Sequence, residues 1–251
     1  MPIPNTVQRI DVQSALISAF VGSVLTLFLA YISGSSFSAL PFPIIAILSG
    51  FVVTGIVEGL LSRGVTILEP AIGAILVSIV LFIVLPLMNI RGFQDLNYTI
   101  LTIMLINGII LSALGGWVGE KLQGTLDEDN SDSSPIDWGW VLCGAALATT
   151  ITMLCASSLV VILGYHLSNH FIAFFLGLFV AGLIIGLRSP GIAITEAGMA
   201  GFIAVVINID IVSLVLGMLD VVTVVGGIVL GILTTFFGGW VGETLQASRQ
   251  R

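Results

Sequence analysis

Residues 67–88 read ILEPAIGAILVSIVLFIVLPLM, an apolar run in which Glu69 is the one charged residue. About 20 mostly apolar residues suffice for a helix to cross the hydrocarbon core of a bilayer, so this run is predicted to be a membrane span. Similar runs lie before and after it. Together they predict an all-α integral membrane protein with eight transmembrane helices, at about 12–34, 41–61, 67–88, 98–119, 138–163, 169–187, 191–213 and 218–241.

The composition of the whole chain supports this class. Of its 251 residues 57% are hydrophobic and only 8% are charged, whereas a soluble domain carries about 25% charged residues. Such a chain cannot cover a water-facing surface, which excludes a soluble enzyme, a nucleic-acid-binding protein and a disordered tail. The first apolar run is too long for the core of a cleaved signal peptide, and we interpret it as a retained span.

Two stretches of the chain occur twice. GGWVGEKLQ at 115–123 returns as GGWVGETLQ at 238–246, and GLLSRGVTILE at 59–69 returns, less closely, as GLRSPGIAITE at 186–196. The first pair is offset by 123 residues and the second by 127, because the loop at 90–97 is shorter in the second copy. The pattern indicates an internal duplication.

We therefore predict two tandem four-span repeats, 1–123 and 136–251, joined by an acidic linker at 124–135. An even number of spans in each repeat means that both enter the membrane from the same side. The expected arrangement is a parallel one, with a pseudo-two-fold axis along the membrane normal.

The basic residues predict the orientation in the membrane. Cytoplasmic loops are enriched in Lys and Arg, and six of the seven basic residues fall on one side if the N-terminus is cytoplasmic: Arg9, Arg63, Lys121, Arg188, Arg249 and Arg251, with Arg91 alone on the other side. We expect a multi-pass protein of the cell membrane with both termini in the cytoplasm.

Small residues recur at four-residue spacing on the second and fourth span of each repeat. Lipid provides no hydrophobic drive for helix association, and small residues let helix backbones approach closely instead. Gly is also common in membrane helices generally, which is the alternative explanation. The expected helix-packing positions are Gly55, Gly59, Gly108, Gly116, Gly182, Gly186, Gly227, Gly231 and Gly239.

Four tryptophans are placed near the predicted ends of spans: Trp117, Trp138, Trp140 and Trp240. An indole ring at the membrane interface can remain among the headgroups while its N–H reaches water. We expect all four to act as interface anchors.

Glu69 and Glu196 are the most suggestive polar pair. Each lies seven residues after an aligned serine, Ser62 or Ser189. An ionisable residue inside a span is costly and suggests function, so these carboxyls are candidates for a proton or small-cation pathway. The alternative is a helix cap or an interfacial salt bridge, because Glu69 closes a capping-box pattern and Glu196 can pair with Arg188.

The evidence for a functional role is weaker for the other acidic residues. Glu120 and Glu243 close the repeated element and are expected to pair with Arg63 or Arg188. Asp210 is a third pathway candidate, expected near the outer interface; the alternative, from the alignment of the repeats, continues span 7 to about Leu216 and buries Asp210 in the outer half of the membrane. Asp220 is expected to cap span 8.

Glu58 occurs only in the first copy, where Ile185 is its counterpart. This asymmetry argues against a role in a symmetric pathway.

The sequence contains no recognised catalytic or metal-binding motif, and we expect no enzyme activity, cofactor or metal. Cys143 and Cys155 are too far apart on a helix for a disulfide, and His166 and His170 lack further ligands. The expected partners are membrane lipids and, through the small-residue stripes, other membrane-protein subunits or a second copy. The expected function is a structural or accessory subunit of a membrane assembly; the alternative is a channel or secondary transporter using Glu69 and Glu196.

Overall fold

The computed structural model describes residues 12–36, 41–62, 68–88, 90–94, 96–124, 136–163, 167–189, 193–216 and 219–249. Within these ranges the chain forms eight α-helices: α1 Val12–Ser36, α2 Pro41–Leu61, α3 Leu68–Val84, α4 Tyr98–Gln123, α5 Trp138–Leu163, α6 Leu167–Arg188, α7 Ala193–Leu216 and α8 Val221–Arg249. All eight are long and apolar enough to cross a membrane. The protein is thus an integral multi-pass membrane protein, which confirms the predicted class and number of spans. Of the predicted acidic linker, the described residues include only Gly124.

Proline and hydrogen bonding determine where the helices end more closely than hydropathy does. α3 ends at Val84 and continues as a 3₁₀ turn, Leu85–Leu87, because Pro86 has no N–H to donate to the preceding turn. Asn97 caps α4 by accepting a hydrogen bond from the Ile100 N–H at 2.9 Å. α8 runs eight residues past the predicted end of its span, since backbone hydrogen bonding continues beyond the apolar stretch.

The chain divides into two compact units. Unit 1 contains α1 as far as Phe28, α2 from Gly50 onward, α3 and α4, and unit 2 contains the remaining parts of α1 and α2 together with α5 to α8. The predicted division into repeats 1–123 and 136–251 stays a prediction.

Glycines bring α2 and α4 into backbone contact within unit 1. A Cβ added at Gly55 would overlap the carbonyl oxygen of Ser112, and one added at Gly59 would overlap that of Gly116. The contact is reciprocal, because a Cβ at Gly115 would overlap the Val52 carbonyl oxygen. Only glycine allows two helix backbones to lie this close.

The same kind of contact joins α6 and α8 within unit 2. A Cβ at Gly182 would overlap the carbonyl oxygen of Thr235, and one at Gly186 would overlap that of Gly239. Gly227, also expected at a packing position, differs: its nearest neighbour would be the Ile209 Cδ1 atom at 3.9 Å, an ordinary van der Waals contact.

The remaining predicted glycines lie against side chains. A Cβ at Gly108 would come within 2.6 Å of the Phe51 ring. At Gly116 it would overlap Pro70, and at Gly231 it would overlap Val205.

The tryptophans do not all lie where the sequence indicated. Trp138 and Trp240 are exposed and Trp117 is half-buried. Trp140, however, is only 1% exposed and lies in the core of unit 2. It is the third residue of α5, two positions after Trp138, and consecutive positions on a helix face different directions. The expectation that Trp140 anchors the protein with its N–H in water was therefore wrong.

α7 continues to Leu216, so Asp210 lies within the helix and its side chain is exposed. Asp220 precedes α8 and accepts a hydrogen bond from the Thr223 N–H at 3.2 Å. This contact satisfies one of the unpaired amides of the first turn. The predicted cap of α8 is confirmed.

We expect Gly55→Ala to lower the free energy of unfolding by about 1–3 kcal/mol, the usual range for overpacked sites. The atom in the way is the Ser112 carbonyl oxygen, and a side-chain rotation cannot move it. Unfolding of the detergent-solubilised protein by sodium dodecyl sulfate measures the change. Gly226→Ala is the matched control, because nothing lies within 4 Å of its added Cβ. Equal losses in both variants would contradict a specific backbone contact at Gly55.

The cap of α8 should weaken in acid. The hydroxyl and the backbone N–H of Thr223 donate to Asp220 and lower the pKa of this carboxyl from its ordinary value of 3.8. A lowered pKa stabilises the folded helix end above pH 3.8, and that contribution is lost as the pH falls through the folded-state value. We expect the amide protection factor at Thr223, measured by hydrogen exchange and corrected for intrinsic rates, to fall in acid. In Asp220→Asn, which caps without titrating, it should not respond to pH.

Candidate functional site: buried carboxyls at the helix junctions

Glu69 closes the junction between α2 and α3 in unit 1. It is the second residue of α3, its side chain is 1% exposed, and its Oε2 accepts a hydrogen bond from the Ser62 hydroxyl at 2.7 Å. Ser62 directly follows α2, and its N–H donates to the Glu58 carbonyl at 2.8 Å. The Gln123 side chain of α4 donates to the Ser62 carbonyl at 3.2 Å. One serine thus connects the ends of three helices.

Glu196 does the same between α6 and α7 in unit 2. Its side chain is 4% exposed, and its Oε2 accepts a hydrogen bond from the Ser189 hydroxyl at 2.6 Å. Its Oε1 accepts a second bond, from the Asp137 N–H at the start of α5, at 3.0 Å. An acceptor-only carboxylate fits these two donors, one at each oxygen.

Asp137 in turn caps α5. Its Oδ1 accepts hydrogen bonds from the N–H groups of Gly139 at 2.7 Å and Trp140 at 3.3 Å. Glu196 therefore holds the residue that begins α5, and the junction ties α5, α6 and α7 together.

Glu243 serves a further helix end in unit 2. Its Oε1 accepts a hydrogen bond from the Ile194 N–H at 3.2 Å. Ile194 is the second residue of α7, where the backbone N–H has no partner inside the helix. The carboxylate of α8 thus caps α7, and its charge lies at the positive end of that helix.

Among the described residues, Arg188 does not form the ion pairs that the sequence led us to expect. Arg188 is exposed and, in the described part of the chain, makes no ion pair with Glu196 or Glu243. Glu196 accepts instead from the Ser189 hydroxyl and the Asp137 N–H, and Glu243 accepts from the Ile194 N–H. Arg63, the other expected partner, lies outside the described residues.

Unit 1 buries two further charged side chains near the same end of α4. Glu120 is 1% exposed and Lys121 is 7% exposed. The counterpart of Lys121 in the repeated element is Thr244, which is exposed and donates to the Val241 carbonyl at 2.8 Å. At this position of the repeated element, the residue of unit 1 is a buried cation and that of unit 2 is not.

Glu58 is the residue that the sequence led us to set aside. It lies near the end of α2, its side chain is 0% exposed, and its Oε2 is hydrogen-bonded to the Ser18 hydroxyl oxygen of α1 at 2.5 Å. A Cβ added at Gly73 of α3 would come within 2.6 Å of the same oxygen. The signal was available in the sequence, because Glu58 is the single charged residue of its span.

The third pathway candidate does not join these groups. Asp210 is exposed and lies fourteen residues beyond Glu196 on α7, which is about 21 Å along a helix. Nearby, Asn208 is 1% exposed, and its amide donates to the Ala204 carbonyl of its own helix at 2.7 Å.

No protein-family model, curated protein or solved structure matches the chain. The chemistry of the site is therefore argued from its own geometry. Within each unit, a buried glutamate and a serine join the end of one helix to the beginning of the next.

Ser189→Ala should destabilise the fold through Glu196. Removing the hydroxyl leaves a buried carboxyl oxygen without this donor, which typically costs about 1–3 kcal/mol. The free energy of unfolding in detergent measures the loss. Ser158→Ala is the control, since Ser158 is exposed and donates only to the Leu154 carbonyl of its own helix. If both variants unfold alike, the Ser189–Glu196 bond does not hold the junction.

Proposed function

We propose that this protein acts by helix packing, as a non-enzymatic structural or accessory subunit of a membrane assembly. The proposal rests on the hydrogen bonds that Glu69 and Glu196 accept. Each accepts a hydrogen bond from a serine at a helix end, which is the role of a junction and not of a water-filled pathway. The Glu69 and Glu196 carboxyls thus serve the architecture of their own units.

We further propose that the two units are tandem four-helix repeats, related by a pseudo-two-fold axis along the membrane normal. Contacts that recur at the offsets of 123 and 127 residues support this. The paired contacts are Gly55–Ser112 with Gly182–Thr235, Gly59–Gly116 with Gly186–Gly239, and Ser62–Glu69 with Ser189–Glu196. Chance similarity in sequence would not reproduce the same contacts in the same register.

For the topology, we propose that both termini are cytoplasmic. This rests on the six basic residues that share one side of the predicted arrangement. Fluorescent-protein or phosphatase fusions to the termini test it.

The surface of α8 is where we propose that a partner subunit binds. Only 17% of its most apolar window is buried inside the protein, against 39–56% for the other seven spans. Leu233, Phe237 and Trp240 are each about half exposed along this helix. A helix so little covered by its own chain offers apolar area to lipid or to another membrane protein.

The second candidate function is a channel or secondary transporter for protons or small cations. The observation in its favour is that Glu69 and Glu196 are almost completely buried within candidate spans. Intramembrane carboxyls of this kind are often part of ion pathways.

Two experiments separate these functions. A photo-crosslinker placed at Leu233 on α8, in the native membrane, should give a protein adduct of one discrete mass. The same crosslinker at the exposed Ile79 of α3 is the control and should not give that adduct. Lipid adducts alone at Leu233 would contradict the accessory-subunit proposal. In proteoliposomes, we expect no proton or cation flux that depends on Glu69 and Glu196. Flux lost in the Glu69→Gln, Glu196→Gln double variant would establish the transporter instead.

A further inference from the structure

Glu58 stands at the meeting point of three helices in unit 1. Its carboxyl extends from α2, the Ser18 hydroxyl reaches it from α1, and Gly73 of α3 leaves the space that its Oε2 occupies. The side chain is 0% exposed. Burying a charged carboxylate costs free energy unless the charge is paired, and taking up a proton removes that charge.

The hydrogen bonds around Ser18 favour the neutral form. The Ser18 oxygen lies 2.5 Å from Glu58 Oε2 and 3.2 Å from the Ala15 carbonyl oxygen. A hydroxyl has one proton to donate, so an ionised Glu58 and the carbonyl would compete for it. If Glu58 is protonated, its O–H donates to Ser18, and Ser18 donates to Ala15. Both contacts are then hydrogen bonds at the same time.

Unit 2 fills the corresponding place with apolar side chains. Under the proposed duplication, Ile185 and Ala200 take the positions of Glu58 and Gly73 at the offset of 127, and Gly144 takes that of Ser18 at an offset of 126. A Cβ added at Gly144 would overlap Ile185 and come within 2.9 Å of the Ala200 Cβ. An isoleucine is accepted here, so helix packing does not require a carboxyl. It follows that the niche suits an uncharged group, and that Glu58 adds chemistry that the fold alone does not need.

The charged groups around Glu58 come from the neighbouring helices. On α3, Glu69 lies one turn before Gly73 on the same face. On α4, Glu120 and Lys121 are buried, and the Glu120 N atom would lie 3.0 Å from a Cβ at Gly59, the residue after Glu58. The described part of α1 carries no Asp, Glu, Lys, Arg or His. Of the charged groups on α3 and α4 named here, only Lys121 is a cation, so the test below includes a variant without it.

We propose that Glu58 is a proton-binding site in the membrane-spanning part of unit 1, with Ser18 as the hydroxyl that relays its hydrogen bond to the Ala15 carbonyl. The ligand is a single proton. Binding it forms one O–H bond at Oε2 and removes one negative charge, and no other bond changes. This site is separate from the Ser62–Glu69 hydrogen bond. Its comparison with unit 2 rests on the proposed duplication, whereas its test does not depend on the packing role proposed for the whole protein.

Infrared spectroscopy of the full chain in liposomes tests the proposal. A protonated carboxyl has a C=O stretch distinct from that of a carboxylate, and the band moves to lower frequency when the proton exchanges for deuterium. We expect this band at neutral pH in the wild type, shifted in heavy water and lost in Glu58→Gln. Glu196→Gln should keep it, because Glu196 accepts two donated hydrogen bonds.

Two further variants keep the outcome decisive. The triple variant Ser18→Gly, Glu58→Ile, Gly73→Ala copies the residues of unit 2, so it should fold with near wild-type stability and lack the band even if Glu58→Gln is unstable. Lys121→Thr copies Thr244 and should leave the band unchanged if Lys121 does not neutralise Glu58. The proposal fails if the wild type lacks the band, if the band survives in the folded triple variant, or if it appears only in Lys121→Thr.

Discussion

The hydrocarbon core of a bilayer offers no hydrogen-bond partners, so each backbone polar group there must find its partner in the protein itself. Inside the helices this requirement is met automatically. At the ends of the helices it is not, because the first N–H groups and the last C=O groups have no partner within the helix. In unit 2 the Glu243 carboxylate takes one such N–H, and Glu196 takes another at the start of α5. The buried carboxyl of Glu196 is explained first by that need.

Close packing adds a second constraint. At Gly55 and Gly182 the backbones of paired helices lie so near that a single methyl group would collide with a carbonyl oxygen. These contacts place the ends of α2 and α4, or of α6 and α8, beside the loops where Ser62 and Ser189 meet their glutamates. Backbone contact and the serine–glutamate bond thus support each other within each unit.

Under the proposed duplication, Ile185 with Gly144 and Ala200 fills in unit 2 the place that Glu58 occupies with Ser18 and Gly73 in unit 1. In the sequence, the missing counterpart of Glu58 argued against function, since a symmetric pathway needs symmetric residues. The structure reverses this argument. Because unit 2 has an isoleucine at the proposed equivalent position, packing alone does not explain a fully buried carboxyl at Glu58.

The sequence alone determined the class of the protein and its eight spans, because hydrophobic length is a local property that each run of residues carries by itself. It also predicted Asp220 as a cap, since capping depends on residues three positions apart. It did not reveal that Trp140 is buried beside an exposed Trp138, or that Ser189 and not Arg188 holds Glu196. Those outcomes were decided by the tertiary structure, because the direction of a side chain matters only once another helix is packed against it.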